Sequence, residues 1–282
     1  MRSKSLIQMR KARNVVFVAF AWFAAAVSIL ALSAILFTLI SKGGEGLNPK
    51  LFVMSTPAPG SEGGLANAIV GSLMMCGIGL IIAIVLGLLA GTWLAEYGRQ
   101  SKLAHVVRFV NDVLLSAPSV LIGLFVYGIL VAPFHGFSGI AGAAALALIA
   151  LPIVTRTTED VLRLQPRTLR DGGLALGAPL GLTIWSILWQ AASGGIITGA
   201  LLAFARISGE TAPLLFTSLN NQFFSLDMTK PMANLPVVIY RYALSAYEDW
   251  NRLAWAGALL IAIAVLGASA LARTISRRIQ GK

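Results

Sequence analysis

The sequence predicts an all-α polytopic membrane protein with six transmembrane helices and both termini in the cytoplasm. Three observations predict it. First, the 282 residues are 57% hydrophobic and only 12% charged, with a mean hydropathy of +0.81, where soluble domains carry about 25% charged residues. Second, six charge-free runs are long enough to cross a hydrocarbon core of about 30 Å. Third, the basic residues gather on alternate connections, as cytoplasmic segments do. The net charge of +11 follows from that placement and calls for no nucleic-acid partner.

The first run, Val15–Ile40, is too long for the apolar core of a signal peptide and has no clear cleavage site, so it reads as a retained helix. Arg10, Lys11 and Arg13 before it suit lipid headgroups. Ser41–Leu65 is rich in Gly, Pro and Ser and reads as a surface loop. The second, third and fourth spans are Ala66–Ala95, Val113–Ala132 and Phe137–Thr155, with Pro118 and Pro152 expected to kink the third and fourth. Asn111 and Asp112 read as a cap just ahead of the third span. The fifth span, Leu182–Ala205, and the sixth, Leu253–Ala272, complete the set. Runs of this length in lipid must satisfy their own backbone groups, and helices do so.

Two small-residue pairs, Gly87-x-x-x-Gly91 and Gly195-x-x-x-Gly199, permit close helix approach. The uncharged but polar stretch Thr211–Leu226 reads as a short segment dipping into the membrane or covering a cavity mouth. Glu248 and Asp249, beside Tyr247 and Trp250, read as an interfacial belt leading into the last span. The segments Met1–Asn14, Glu96–Asp112, Arg156–Gly181 and Arg273–Lys282 hold 5, 3, 4 and 4 basic residues, which is 16 of the 22.

Function concentrates between Arg170 and Pro213. From Gly172 to Ala205 no residue is charged, and as one helix that run would be about 50 Å long. Gly177, Pro179 and Gly181 are the natural break. A short helix near the cytoplasmic surface, a turn and then the fifth span follow from this, and the short helix is a docking site for a cytoplasmic partner. At the far end of the span, Arg206 and Glu210 share a helical face at i, i+4 spacing and can pair. An ionisable pair there lines a cavity or snorkels to the headgroups. In a cavity, a guanidinium fork favours an anionic substrate.

The absences are as informative. No Gly-x-x-x-x-Gly-Lys-Ser/Thr loop is present, so the chain has no P-loop for ATP. His105 and His135 stand apart with no Cys/His cluster, which leaves no metal site. Cys76 is the single cysteine and reads as a small buried apolar residue. No hydrolytic motif appears. The chain is therefore expected to be no enzyme and to bind no cofactor. Its energy must come from an ion gradient or a partner protein.

Several blocks resemble a known family. Asp171-Gly172-Gly173, with Gly177 four residues on, resembles the Glu-Ala-Ala…Gly coupling loop of permease subunits of ABC importers; Asp stands for Glu and Gly-Gly for Ala-Ala. The block Arg206-Ile207-Ser208-Gly209-Glu210-Thr211-Ala212-Pro213 resembles a signature of the phosphate-type permeases. So do Ala117–Tyr127 and Leu151–Glu159.

The resemblance covers Asn67 to Leu271 and implies the type I (MetI-like) ABC importer permease fold. It divides the chain into residues 1–66 (tail, first helix and periplasmic loop), 67–271 (permease domain with a coupling helix near 170–181) and 272–282 (basic tail). It implies ATPase coupling through Asp171, Gly172, Gly173 and Gly177, and a substrate pathway at Arg206, Glu210 and Thr211. The partners implied are a second homologous permease, a cytoplasmic ATPase dimer that uses the ATP, a periplasmic phosphate-binding protein, inorganic phosphate and membrane lipid. The location implied is the bacterial inner membrane. Sulfate or molybdate permeases, and a regulatory or structural membrane subunit, are the alternative readings.

Overall fold

A computed structural model of the chain describes residues 2–98 and 101–280, and these contain helices and no strand. The order is α1 (Arg2–Glu45), α2 (Lys50–Val53), α3 (Ala66–Thr92), α4 (Lys102–Ser116), α5 (Ser119–Val126), α6 (Gly139–Leu164), α7 (Arg167–Ala175), α8 (Leu180–Thr183), α9 (Trp189–Ser208), α10 (Ala212–Thr217), α11 (Leu235–Ala243) and α12 (Glu248–Gln280). Wide π-helical turns extend α3 through Trp93–Tyr97 and α5 through Tyr127–Val131, and a third joins α8 to α9 through Ile184–Leu188. Among the described residues, five helices are long and apolar enough to cross a membrane, and the bent pair α4–α5 makes a sixth if it crosses as one span.

At the centre lies α6. Its apolar face and its small residues Ala143, Ala150 and Val154 form the main core with Met75 and Ala83 of α3 and Ala203 and Ile207 of α9. Glycine sets the spacing on both flanks. A Cβ on Gly87 would lie 2.8 Å from Val154, and one on Gly91 2.6 Å from the Thr155 carbonyl. On the other flank, a Cβ on Gly195 would lie 2.5 Å from Val161, and one on Gly199 2.7 Å from Thr157. Both Gly-x-x-x-Gly pairs are thus used against the same helix: the α3 pair meets its backbone, as in membrane helix dimers, and the α9 pair seats the side chains of Val161 and Thr157.

The third crossing departs from the expected kinked span. Pro118 breaks it, and α4 meets α5 at 108°. The cause is local: proline disfavours the helical region for the residue before it, and Ala117 is extended at ψ 135°. Beyond the break only 13 residues remain helical (Ser119–Val131), about 20 Å of rise. The part before it, read as a loop plus a cap, is a full helix. Its N-cap is Ser101, which accepts the Ala104 N–H at 3.1 Å. Asn111 is not a cap at all: it is buried mid-helix and donates from Nδ2 to the Pro152 carbonyl at 3.3 Å. Asp112 faces Arg156 at 3.7 Å. Pro152 itself is accommodated inside α6.

Ser41–Leu65 also differs from a surface loop. α1 continues to Glu45, and Leu51 and Leu65 are fully buried in a second core with Val238 and Tyr242 of α11 and Ala256 of α12. Gly64 permits this, since a Cβ there would strike the Lys50 and Met54 carbonyls. α1 leans on α12 only near that end, through Gly43 against Leu259 and Gly46 against Ala256. Residues 9–37 of α1 are exposed along their whole length.

On the side away from the basic segments, polar side chains tie the short elements together. Ser138 caps α6, accepting the Ala141 N–H, while its own N–H donates to the Thr217 carbonyl at the end of α10. Asn234 caps α11 and donates to Ser218 Oγ at 3.1 Å. Asn67 donates to Thr56 Oγ1 and to the Asn221 and Gln222 carbonyls. Buried amides with this many partners hold irregular backbone where no helix ladder can. The stretch Thr211–Leu226 accordingly contains a short helix, α10, whose Pro213 packs on Gly123 of α5.

Candidate functional site

Two groups of residues carry the functional reading, at opposite ends of the helix that runs from α8 through α9. The first is the pair at the end of α9. Arg206 Nη1 lies 2.6 Å from Glu210 Oε1. The helix stops at Gly209, and the Glu210 N–H returns to the Ile207 carbonyl. That turn swings the carboxylate inward, where it is 6% exposed, while the Arg206 side chain stays 56% exposed. The contact is electrostatic more than directional, because Glu210 Oε1 has no aligned hydrogen bond. The guanidinium has donors to spare, five in a planar fork. An exposed, incompletely engaged arginine backed by a buried carboxylate is a site that can accept an anion and release it. Thr211, half-buried at the start of α10, follows directly and makes no side-chain cap.

The second group is α7 and the turn after it. Proline at 166 precedes the helix and Gly177 ends it with φ +79°, the left-handed conformation that glycine adopts freely at a helix end. Pro179 then starts α8. Asp171 and Gly172 are exposed on α7, as are Leu174 and Leu176 beyond them. Gly173 is turned the other way and is buried, with Thr183 of α8 where its Cβ would be. Within the expected coupling set, then, Asp171 and Gly172 face outward, Gly177 shapes the turn, and Gly173 lets α7 fold back onto α8.

Sequence reasoning missed the charged residues behind α7. Glu96, in the π-helical end of α3, and Arg170 of α7 form a bidentate pair: Nε to Oε2 at 2.8 Å and Nη2 to Oε1 at 2.5 Å. Their side chains are 3% and 11% exposed. The Glu96 carboxylate beside it pushes the Arg170 guanidinium further above its ordinary range. Nearby, the buried Glu159 of α6 receives Arg108 of α4 at 2.8 Å and Arg163 at 2.9 Å. Arg108 also donates to the Leu94 carbonyl, one of the groups that the π turn displaces. Only a three-dimensional contact could reveal the two long-range pairs, since 74 residues separate Glu96 from Arg170 and 51 separate Arg108 from Glu159.

Closely packed apolar helices, a glycine-ended surface helix between two spans and a polar pair at the far end of the second span are the features that a transport permease would need. The chain belongs to the family of binding-protein-dependent transport system inner membrane components, whose model matches residues 83–281. Its relatives narrow that class to the PstA permeases. The phosphate transport system permease protein PstA of Haemophilus influenzae is 54% identical over 257 residues, 91% of each chain. The PstA protein of Pasteurella multocida is 51% identical over 271 residues, 96% of this chain and 97% of that one. The probable PstA protein of Methanocaldococcus jannaschii is 36% identical over 73% of each chain.

Among solved structures, the MetNI methionine ABC transporter in inward-facing conformations superposes with a TM-score of 0.62 over 75% of this chain and 94% of that one, at 18% identity. An amino acid ABC transporter gives 0.52 over 74% and 92%. The fold is therefore the MetI-like permease fold, as the sequence motifs implied.

Proposed function

We infer that the chain is the membrane permease of an ATP-driven importer of inorganic phosphate, moving phosphate from periplasm to cytoplasm by alternating access. The observation that carries this reading is the identity above 50% to PstA proteins along more than nine-tenths of the chain. In this reading the exposed Arg206 guanidinium is a transient contact for the anion, Glu210 keeps that contact weak, and Thr211 lies on the same path. Both termini and α7 are cytoplasmic, in keeping with the distribution of the basic residues. The membrane is the bacterial inner membrane.

The partners are a PstC-like second permease, a PstB-like ATPase dimer and a PstS-like periplasmic phosphate-binding protein. The chain itself holds no cofactor, and the ATPase spends the ATP. The outward surface of α7 at Asp171 and Gly172 receives the ATPase, with Gly173 and Gly177 setting its angle. Closure of the ATPase dimer moves α7, and the spans reorient because the partner's contacts differ between the two states.

Labelled phosphate uptake in source cells lacking this chain tests the reading, with wild type or Arg206→Gln restored and labelled sulfate and molybdate run in parallel. Wild type alone should restore phosphate uptake and leave the other anions unaffected. Phosphate uptake that never depends on the chain overturns the substrate. A dependence of sulfate or molybdate uptake names the replacement.

A further inference from the structure

We propose that Glu96 and Arg170 are positioning residues that lock α7 to the transmembrane bundle, so that the chain transmits a stroke applied to α7 as one rigid block. The proposal rests on the reading of α7 as the ATPase contact, and it concerns a pair buried behind the exposed face of α7.

All three guanidinium nitrogens of Arg170 are committed. Nε and Nη2 hold the two oxygens of Glu96. Nη2 also donates to the Leu162 carbonyl at 2.8 Å, and Nη1 to the Gln165 and Pro166 carbonyls at 2.9 and 3.4 Å. Leu162 belongs to the last turn of α6, where a cation is favoured, and its carbonyl also accepts the Gln165 N–H. One side chain therefore joins three elements: its own α7, the inner end of α3 through Glu96, and the end of α6 through the carbonyls. Gly173 adds a fourth contact by seating α7 on Thr183 of α8.

What the clamp joins is already rigid. α3 and α6 meet backbone to backbone along Gly79, Gly87 and Gly91, and α6 meets α9 along Gly195 and Gly199. Packing of that kind has two discrete arrangements or one; it does not deform gradually. A displacement of α7 thus becomes a displacement of α3 and α6 together, and through α6 it reaches α9, the helix that carries Arg206. Without the clamp, α7 would keep only the apolar seat of Leu169 and the close contact of Gly173 with Thr183, neither of which fixes its direction as a bidentate ion pair does. A stroke would then rotate α7 and leave the bundle where it was.

A buried ion pair is weak grounds for a stability role, because apolar residues of similar size often replace one at no loss. A geometric role is different, since apolar residues cannot reproduce the bidentate link or the three carbonyl bonds. The two roles can therefore be separated.

The test uses the whole complex, purified through a tag on this chain and reconstituted in liposomes, with phosphate import and ATP hydrolysis measured together. Glu96→Gln should keep the ATPase attached and hydrolysing, while phosphate moved per ATP falls about tenfold, within the usual range of coupling energies. An intact complex with an unchanged ratio overturns the proposal. If Glu96→Gln fails to assemble, the double variant Glu96→Leu/Arg170→Met removes both charges and should restore assembly. It should remain uncoupled, and a wild-type ratio in that variant overturns the proposal.

A second readout does not depend on the substrate. Spin labels at Tyr97→Cys and Ala175→Cys should report one narrow distance with and without trapped nucleotide, and a broadened or shifted one once Glu96→Gln is added. A wild-type complex that imports no phosphate would defeat the functional reading alone, and the spin-label distances would still decide the clamp.

Discussion

At the scale of single residues, the chemistry rests on how unequally the charged groups are buried. Arg206 is half exposed and Glu210 is buried, so removing the arginine strands a carboxylate in a poor solvent. Arg206→Gln is therefore expected to abolish transport and also to destabilise the chain, by about 1–3 kcal/mol. Arg206→Gln/Glu210→Gln should recover that stability without recovering uptake, which thermal unfolding in detergent and uptake in cells would show together. Recovery of uptake by the double variant would mean that the guanidinium makes no anion contact. Cys76 gives a second check at this scale. Its side chain is buried under α9, with Sγ 3.9 Å from the Ile207 carbonyl. A maleimide should leave it unlabelled in the folded protein and label it fully after denaturation, as mass spectrometry would record.

At the scale of elements, the close helix contacts set the sensitivity to substitution. Gly91→Leu must push α3 off α6 and should cost about 1–3 kcal/mol as overpacking. Gly128→Leu, where a Cβ would meet nothing within 4 Å, should be nearly silent by the same melting assay. Gly177→Ala places a Cβ on a left-handed residue and should cost about 1–2 kcal/mol, read as weakened ATPase copurification.

Most of the element plan was legible in the sequence, because charge-free length and the Gly177–Gly181 break are local properties. The sharp corner at Pro118 was legible only as a kink, since the size of a bend depends on whether neighbours hold the chain beyond it. Asn111 was misread because its partner, the Pro152 carbonyl, lies 41 residues away. Arg206 and Glu210 were found by their i, i+4 spacing. Glu96 and Arg170 have no such periodicity, and nothing local links the two.

At the scale of the whole molecule, the chain is a central trio of helices with two attachments, one loose and one packed into both cores. The trio is α3, α6 and α9. The first attachment is α1, which touches the rest only near Gly43 and Gly46. Deleting residues 2–14 should leave the bundle folded and change only insertion or membrane retention, measured by protease protection in inverted vesicles. Loss of the folded bundle in that deletion would mean that α1 contributes more than its contacts indicate. The second attachment is the α10–α11 region, held by Asn67, Ser138 and Asn234. The buried amides of Asn67 and Asn234 and the half-buried Ser138 hydroxyl fix that region in place.

The two glycine seams on α6 also bear on how this chain can change over time. A helix gripped on both flanks has few positions where drift is free, and enlargement on either flank must be matched by a loss on the facing helix. Substitutions along α6 should therefore be accepted in compensating pairs across a seam, and singly only where the helix is open to its surroundings. A saturation library selected for growth on limiting phosphate would show this as two intolerant stripes on α6, separated by a permissive one. The same library should find α1 permissive nearly all round along residues 9–37.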